Sequence, residues 1–350
     1  MYDTFYKLKK KPFQLNPDPE FFFNSAVHRR ALAYLRYGLA QGEGFVVVTG
    51  VPGTGKTMLV KELFETLRNE NIVAGLMVTS QVGAEDTLRI IAATFGLSYD
   101  GDVKAVLIKN LENFFKLKAR EGKRVLLVVD EAQNLPVQSL EELRMLLNFE
   151  LDGRSIFQVF LLGQEELRTT LQGGKMEQVR QRVTATYHLR PLEKAESKEY
   201  ILHRLTTAGW SHDPEFSDSA FDQIHEYTGG IPRVINTLCD RLMLYGYLEE
   251  LHTLDVDAVQ LVINELEDDA AKSKPGGSRR ESSRGSATEQ NPAPGEFVPT
   301  SGSMDDRLTQ LESMVAKLRK TVHKERALLR KAILLQLDLD EAYDDSGDDE

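Results

Sequence analysis

One cysteine in 350 residues is too few for an internal disulfide or a cysteine-built metal site, and the apolar, helix-patterned surroundings of Cys239 mark it as a small core residue. Long apolar runs are missing as well. None approaches the roughly 20 residues of a transmembrane helix, and the basic stretch Lys7-Leu8-Lys9-Lys10-Lys11 is not followed by the apolar core of a signal peptide. The expectation is a cytoplasmic protein with no transmembrane segment. Positive charge is also short. With 43 Lys and Arg against 54 Asp and Glu, the formal net charge is −11, which speaks against a general nucleic-acid binder because displacing counterions needs basic surface. No internal repeat is present. At 41% hydrophobic residues, the chain has enough apolar material for one large or two modest globular domains.

What the chain does have is Gly50-Val51-Pro52-Gly53-Thr54-Gly55-Lys56-Thr57, a complete G-x-x-x-x-G-K-T sequence. It follows the apolar run Phe45-Val46-Val47-Val48-Thr49 and precedes a helical pattern that starts at Met58. Strand, loop and helix in this order make a phosphate-binding loop. The backbone N–H groups from Gly50 to Met58 are expected to face the phosphates of a nucleoside triphosphate, with the helix adding its positive end. Lys56 would reach the β- and γ-phosphates, and the Thr57 hydroxyl would be a ligand of Mg2+.

A second buried strand should end in a carboxylate that holds the metal. The run Val125-Leu126-Leu127-Val128-Val129 ends in Asp130-Glu131. Asp130 is expected to hold Mg2+ through water, and Glu131 to orient and polarise the attacking water. The pair points to hydrolysis of ATP beyond binding.

The remaining chain reads as follows. Residues 1–26 are rich in aromatics and proline, among them Tyr2, Phe5, Tyr6, Phe13, Phe21, Phe22 and Phe23, and are too apolar for a free tail. They pack on the core, or wall the adenine pocket or a neighbouring subunit. Residues 27–191 alternate strands with helices, which predicts a doubly wound parallel α/β domain with ligand at the carboxyl ends of its strands. Residues 192–268 run helix after helix and predict a small all-helical lid, in which Gly229-Gly230-Ile231-Pro232-Arg233 opens one helix. A cation in a first turn opposes the helix dipole, so Arg233 is either held by an anion or simply solvated. Residues 269–304 read as a disordered linker, 305–336 as a coiled-coil helix for oligomerisation or partner docking, and 337–350 as an acidic tail. A membrane-surface helix is the alternative for 305–336.

The phosphate loop, the Asp130-Glu131 strand end, a strand closing on Gly163-Gln164, the pair Arg180 and Arg182, and Gly230-Ile231-Pro232-Arg233 together resemble the AAA+ ATPases. Within them the chain is similar to the ExeA/GspA group of secretion ATPases. The carrying residues are Tyr2-x-x-Phe5-Tyr6-x-Leu8, Pro12-Phe13, Pro17-Asp18-Pro19, His28 and the helix Ala31 to Leu39. With Gln41-Gly42-Glu43-Gly44-Phe45 and Asp130-Glu131-Ala132-Gln133 it looks most like the ATPase that accompanies the XrtA exosortase (PEP-CTERM) and exopolysaccharide system. Met58 departs from the second threonine usual in the group. The resemblance implies an oligomer, a hexamer or other ring, acting on envelope export or secretion proteins, with at most a peripheral place at the inner membrane. It implies that Arg182 is an arginine finger serving the adjacent subunit, with Arg180 as the alternative, that Arg233 contacts the γ-phosphate from the lid, and that Gln164 is the polar sensor. Two other readings stay open: a nucleotide-gated DNA-binding module, and a nucleotide switch with incidental hydrolysis. Gln133 invites comparison with the Asp-Glu-Ala-Asp box of helicases, whose other motifs are not evident.

Overall fold

The computed structural model describes residues 1–273 other than 69, 80–82 and 100–102. The chain divides into a unit Met1–Gly277 and a unit Ser278–Glu350. The second unit, with the coiled-coil and acidic-tail readings and all of the linker reading beyond residue 273, lies outside the described residues.

Five parallel strands form the central sheet: β1 (Phe45–Gly50), β2 (Ile72–Val78), β3 (Arg124–Asp130), β4 (Phe157–Gly163) and β5 (Val183–Leu189). Their spatial order is β2-β3-β4-β1-β5, so β4 separates the phosphate-loop strand from the carboxylate strand. The three central strands are buried on both faces, which is why they read as continuous apolar runs. Alternate side chains then sort by face. Val47, Leu127 and Leu161 join one core cluster with helices α3 (Ala84–Thr94), α4 (Lys104–Arg120), α5 (Val137–Leu146) and α6 (Glu165–Gln172). Val46, Val48, Val128 and Phe160 join the opposite cluster with α1 (Ala26–Gln41) and α2 (Lys56–Leu67). This is the doubly wound parallel fold that the alternation of strands and helices predicts.

After β5 come α7 (Lys194–Thr207), α8 (Asp218–Thr228), α9 (Pro232–Leu248) and α10 (Val256–Ser273). Their apolar faces meet in a third cluster that includes Ile201, Ile224, Leu238, Leu242 and Cys239. Cys239 is fully buried there, and burial pushes its thiol far above the ordinary cysteine range, so it is an inert core residue. The last helix runs on to Ser273, into the stretch read as linker, where Ala270-Ala271-Lys272 favours helix.

The same cluster takes in Tyr2, Tyr6, Leu8 and Phe13 from the N-terminal segment. The Tyr2 hydroxyl donates to Asp240 Oδ1 at 2.6 Å, and Tyr6 to the Leu251 carbonyl at 2.9 Å. The start of the chain therefore packs against the helices that end the described residues, and its later part, Gln14 to Phe23, crosses toward the phosphate loop.

Candidate nucleotide site

The sheet puts its site where the parallel strands end. Gly50 closes β1, and the loop after it curls through two glycines in the left-handed region, Gly53 at φ +85° and Gly55 at φ +97°, before α2 begins at Lys56. Space matters there as much as conformation. A Cβ on Gly55 would sit 2.8 Å from His28 Nε2, and one on Gly53 would sit 2.7 Å from Arg233 Cβ. The loop is thus a cradle that any side chain would fill.

Lys56 is buried, and its amine donates to the carbonyls of Gly50 at 2.8 Å and Val51 at 3.2 Å. Burial draws the Lys56 pKa below the ordinary lysine value, against the opposing pull of Glu131, Asp130 and Glu166. A cation held this way favours an anion in front of it. Beside it, the Thr57 hydroxyl donates to Asp130 Oδ2 at 2.8 Å. Two hard oxygens so close together fit Mg2+, which takes few protein ligands and completes its shell with phosphate and water. No group of three or more His, Cys, Asp or Glu that could hold a metal by itself occurs among the described residues.

Glu131 follows with a left-handed backbone, φ +55°. Its Oε2 accepts from Gln133 Nε2 at 2.6 Å and from Gln164 Nε2 at 3.2 Å, and its Oε1 accepts from no described residue. Gln164, the first residue after β4, thus stands beside Glu131.

From the lid, Arg233 approaches the loop through its backbone: its N–H donates to the Gly53 carbonyl at 3.2 Å. The guanidinium is exposed and makes no ion pair among the described residues, and Arg233 lines the same cavity as Lys56, Thr57 and Glu131. Arg182 lies elsewhere. Its carbonyl accepts from the Phe45 N–H at the opposite end of the sheet, about 17 Å from Gly50 at ~3.3 Å per strand residue, and its side chain donates to Asn148 Oδ1 at 2.8 Å. Arg180 is tied to the carbonyls of Leu171 and Gln172. Neither arginine lines the cavity of its own chain.

The cavity measures about 350 Å³ and continues from the loop under the N-terminal segment, past Phe21, Phe22 and Phe23. Its far wall holds residues with no motif to announce them. Arg204 is buried with no carboxylate partner among the described residues. It donates to the Pro12 carbonyl at 2.5 Å, the Tyr200 hydroxyl at 3.0 Å and the Gln14 carbonyl at 3.4 Å, with the Phe21 ring 4.9 Å away. Tyr200 passes the chain on to Asn236 Oδ1 at 2.8 Å. Asn236 could have been found as the residue one turn after Arg233 on the same helix face, and Arg204 as one turn after Tyr200. His28 sits behind the loop, its Nδ1 2.8 Å from Ser25 Oγ, and burial lowers its pKa.

The sheet, the phosphate loop after β1 and the carboxylate end of β3 have the arrangement of the P-loop AAA fold. Residues 39–171 match the family described as AAA domain. The chain is similar to the general secretion pathway protein A of Aeromonas hydrophila, 38% identical over 267 residues, which are 76% of this chain and 48% of that protein. It is similar to the Mu-like prophage FluMu DNA transposition protein B of Haemophilus influenzae, 28% identical over 44% of this chain and 49% of that one. The chain therefore spans about half the length of these curated relatives. Among solved structures, the Aeropyrum pernix ORC2 protein aligns over 73% of this chain and 72% of its own, with a TM-score of 0.56 and 16% identity. Cdc6p of Pyrobaculum aerophilum aligns over 74% of each chain with the same TM-score. These two share the fold. No helix among the described residues is long and apolar enough to cross a membrane.

Proposed function

We propose that this chain is a magnesium-dependent ATPase whose working form is a ring, a hexamer or other, with each site completed by the neighbouring subunit. The observation that carries hydrolysis beyond binding is the Glu131 carboxylate. It stands at the mouth of a phosphate cradle with no ion-pair partner among the described residues and with one oxygen left open. A residue meant only to bind nucleotide has no need of that arrangement.

The roles follow from position. The loop N–H groups and Lys56 hold the triphosphate, and Thr57 with Asp130 would hold the metal. Magnesium, when bound, neutralises phosphate charge and makes the γ-phosphorus more open to attack. Glu131 orients a water through its open oxygen. The water oxygen bonds to the γ-phosphorus while the bond to the β–γ bridging oxygen breaks, and ADP leaves with the electron pair. The proton lost by water passes through Glu131 to the phosphate product. Gln164 stands where it can meet the γ-phosphate side of that water, and Arg233 closes from the lid. Arg182, too far from its own cavity, serves the next subunit as an arginine finger.

We assign the ATPase to the assembly of an envelope export system, powering or regulating it. Similarity to a protein named for the general secretion pathway supports the broader setting. The N-terminal pattern from Tyr2 to Leu39 favours the XrtA exosortase and exopolysaccharide setting within it. One observation favours a second reading: the relative named as a DNA transposition protein raises a nucleotide-gated DNA-binding role. Salt-sensitive retention on DNA that appears only with ATP would support that role instead.

The test is ATPase rate against protein concentration for wild type and Glu131→Gln, with mass measured in the same ATP-containing buffer. Turnover per subunit should rise as the assembly forms and fall at least ~100-fold in Glu131→Gln while ATP still binds. A flat, negligible wild-type rate despite tight ATP binding would make the protein a nucleotide switch.

A further inference from the structure

Gln133 is the one polar residue of the Asp130-Glu131-Ala132-Gln133 stretch that the mechanism above leaves without a task, and both ends of its amide are engaged. Its Nε2 donates to Glu131 Oε2 at 2.6 Å, and its Oε1 accepts the backbone N–H of Gln164 at 3.0 Å. Gln164 in turn sends its own Nε2 to the same Glu131 oxygen at 3.2 Å. Three polar groups from the ends of β3 and β4 thus close a ring around one carboxylate. The ring needs room. A Cβ at Gly163 would sit 2.8 Å from Leu167 Cδ2 and 3.0 Å from Gln133 Oε1, so a side chain there would crowd the amide.

We propose that Gln133 is the positioning residue of hydrolysis, fixing the rotamer of Glu131 and linking it to the sensor strand β4. Both amide donors go to Oε2, which leaves Oε1 as the acceptor that meets water. Without the shorter of the two bonds, the carboxylate regains rotation about its side-chain bonds and the open oxygen loses its aim. Misplacing a reacting group by about 1 Å can cost ~100-fold in rate. The link to the Gln164 N–H has a second effect. Any shift of the end of β4 when the γ-phosphate is present or lost moves the amide that holds Glu131, so the carboxylate is aimed only when the sensor end is in register.

This inference rests on the reading of Glu131 as the water-orienting carboxylate, and the experiment separates the two. Turnover and ATP affinity are measured for full-length wild type, Gln133→Leu, Gln133→Glu, Glu131→Gln and the double variant Glu131→Gln/Gln133→Leu. Gln133→Leu should lower kcat ~10- to 100-fold with ATP affinity within about threefold of wild type, because binding does not use this amide. Gln133→Glu keeps the acceptor for Gln164 but loses the donor to Glu131, and it should fall as far. The decisive readout is the double variant: once the carboxylate is gone, Gln133→Leu should cost nothing more. A purely structural glutamine would lower the residual rate in both backgrounds, and that result overturns the proposal. So does an unchanged kcat in Gln133→Leu while Glu131→Gln is inactive, which leaves the ATPase reading standing. Full activity in Glu131→Gln removes both.

Discussion

His203 shows how a single half-buried ring reports on the packing of the N-terminal segment. Its Nε2 is buried without a hydrogen-bond partner among the described residues, and its ring lies 5.6 Å from that of Phe23. Burial lowers its pKa, as it does for His28 behind the phosphate loop. Both rings are therefore neutral in the fold at a pH where the unfolded chain begins to take up protons, near the ordinary histidine value of about 6.5. The sign follows. Below that value the unfolded state binds more protons, so the stability contributed by neutral burial is complete above about pH 6.5 and is lost as pH falls toward the folded-state values. Thermal unfolding midpoints should drop between about pH 7 and pH 5. In His203→Phe, which keeps an aromatic ring but carries no titrating group, the drop should be shallower, so that the variant gains on wild type as pH falls. Parallel curves for the two proteins would refute the assignment. At this scale the sequence is readable where the chemistry demands fixed spacing. Lys56, Thr57, Asp130, Glu131 and Gln164 come together at the ends of adjacent strands, and each is marked by a loop or a strand end. Arg204, Tyr200 and Asn236 carry no such mark, because what defines them is a hydrogen-bond chain between two helices and a segment more than 180 residues earlier.

That segment is the element whose partner could not be read in advance. Its aromatics announce burial, but periodicity speaks only within an element and does not say which distant surface will be covered. The central strands were legible as continuous apolar runs and the helices because each buries one stripe, and alternation up to Leu189 followed by helices alone separated the sheet from the helical region. The N-terminal aromatics instead divide their work: Tyr2, Tyr6 and Phe13 complete the helical core, while Phe21, Phe22 and Phe23 line the cavity. Fastening is polar as well as apolar. Lys61 of α2 donates to the Pro17 carbonyl at 2.8 Å, and the Ala26 N–H donates to Glu196 at 2.9 Å. Phe13, with no exposed surface, is the anchor to test. Phe13→Ala should cost about 3–5 kcal/mol of stability, through lost transfer energy and the cavity left behind. Loosening the anchor also frees residues 14 to 23, so ATP affinity should fall in the same variant. Chemical denaturation and nucleotide titration check both; an unchanged midpoint would mean that the segment adds nothing to the helical core.

For the whole molecule, the position of Arg182 sets what the proposed arginine finger could reach. It stands at the amino end of β5, whereas the cavity opens at the carboxyl ends of the strands, so no rotamer brings it to the nucleotide of its own chain. If it acts at all, it acts on another copy. In the proposed ring the contact between copies is heterologous, head to tail, with closure of the repeat giving the ring. Two inactive variants should consequently repair each other. Glu131→Gln lacks the water-orienting carboxylate but keeps the arginine, and Arg182→Ala lacks the arginine but keeps the carboxylate. Where a site on an Arg182→Ala subunit faces a Glu131→Gln neighbour, both groups are intact. In a one-to-one random mixture about a quarter of the interfaces have that order, so turnover should return to about a quarter of the wild-type rate if sites work independently. The mixture is assayed at a concentration where mass measurements show assembly, and again after dilution below it, where the recovered activity should vanish. Recovery that survives dilution would rule out a shared site. No recovery at all, with assembly intact, would show that Arg182 does not serve the neighbour's site and would turn attention to Arg180.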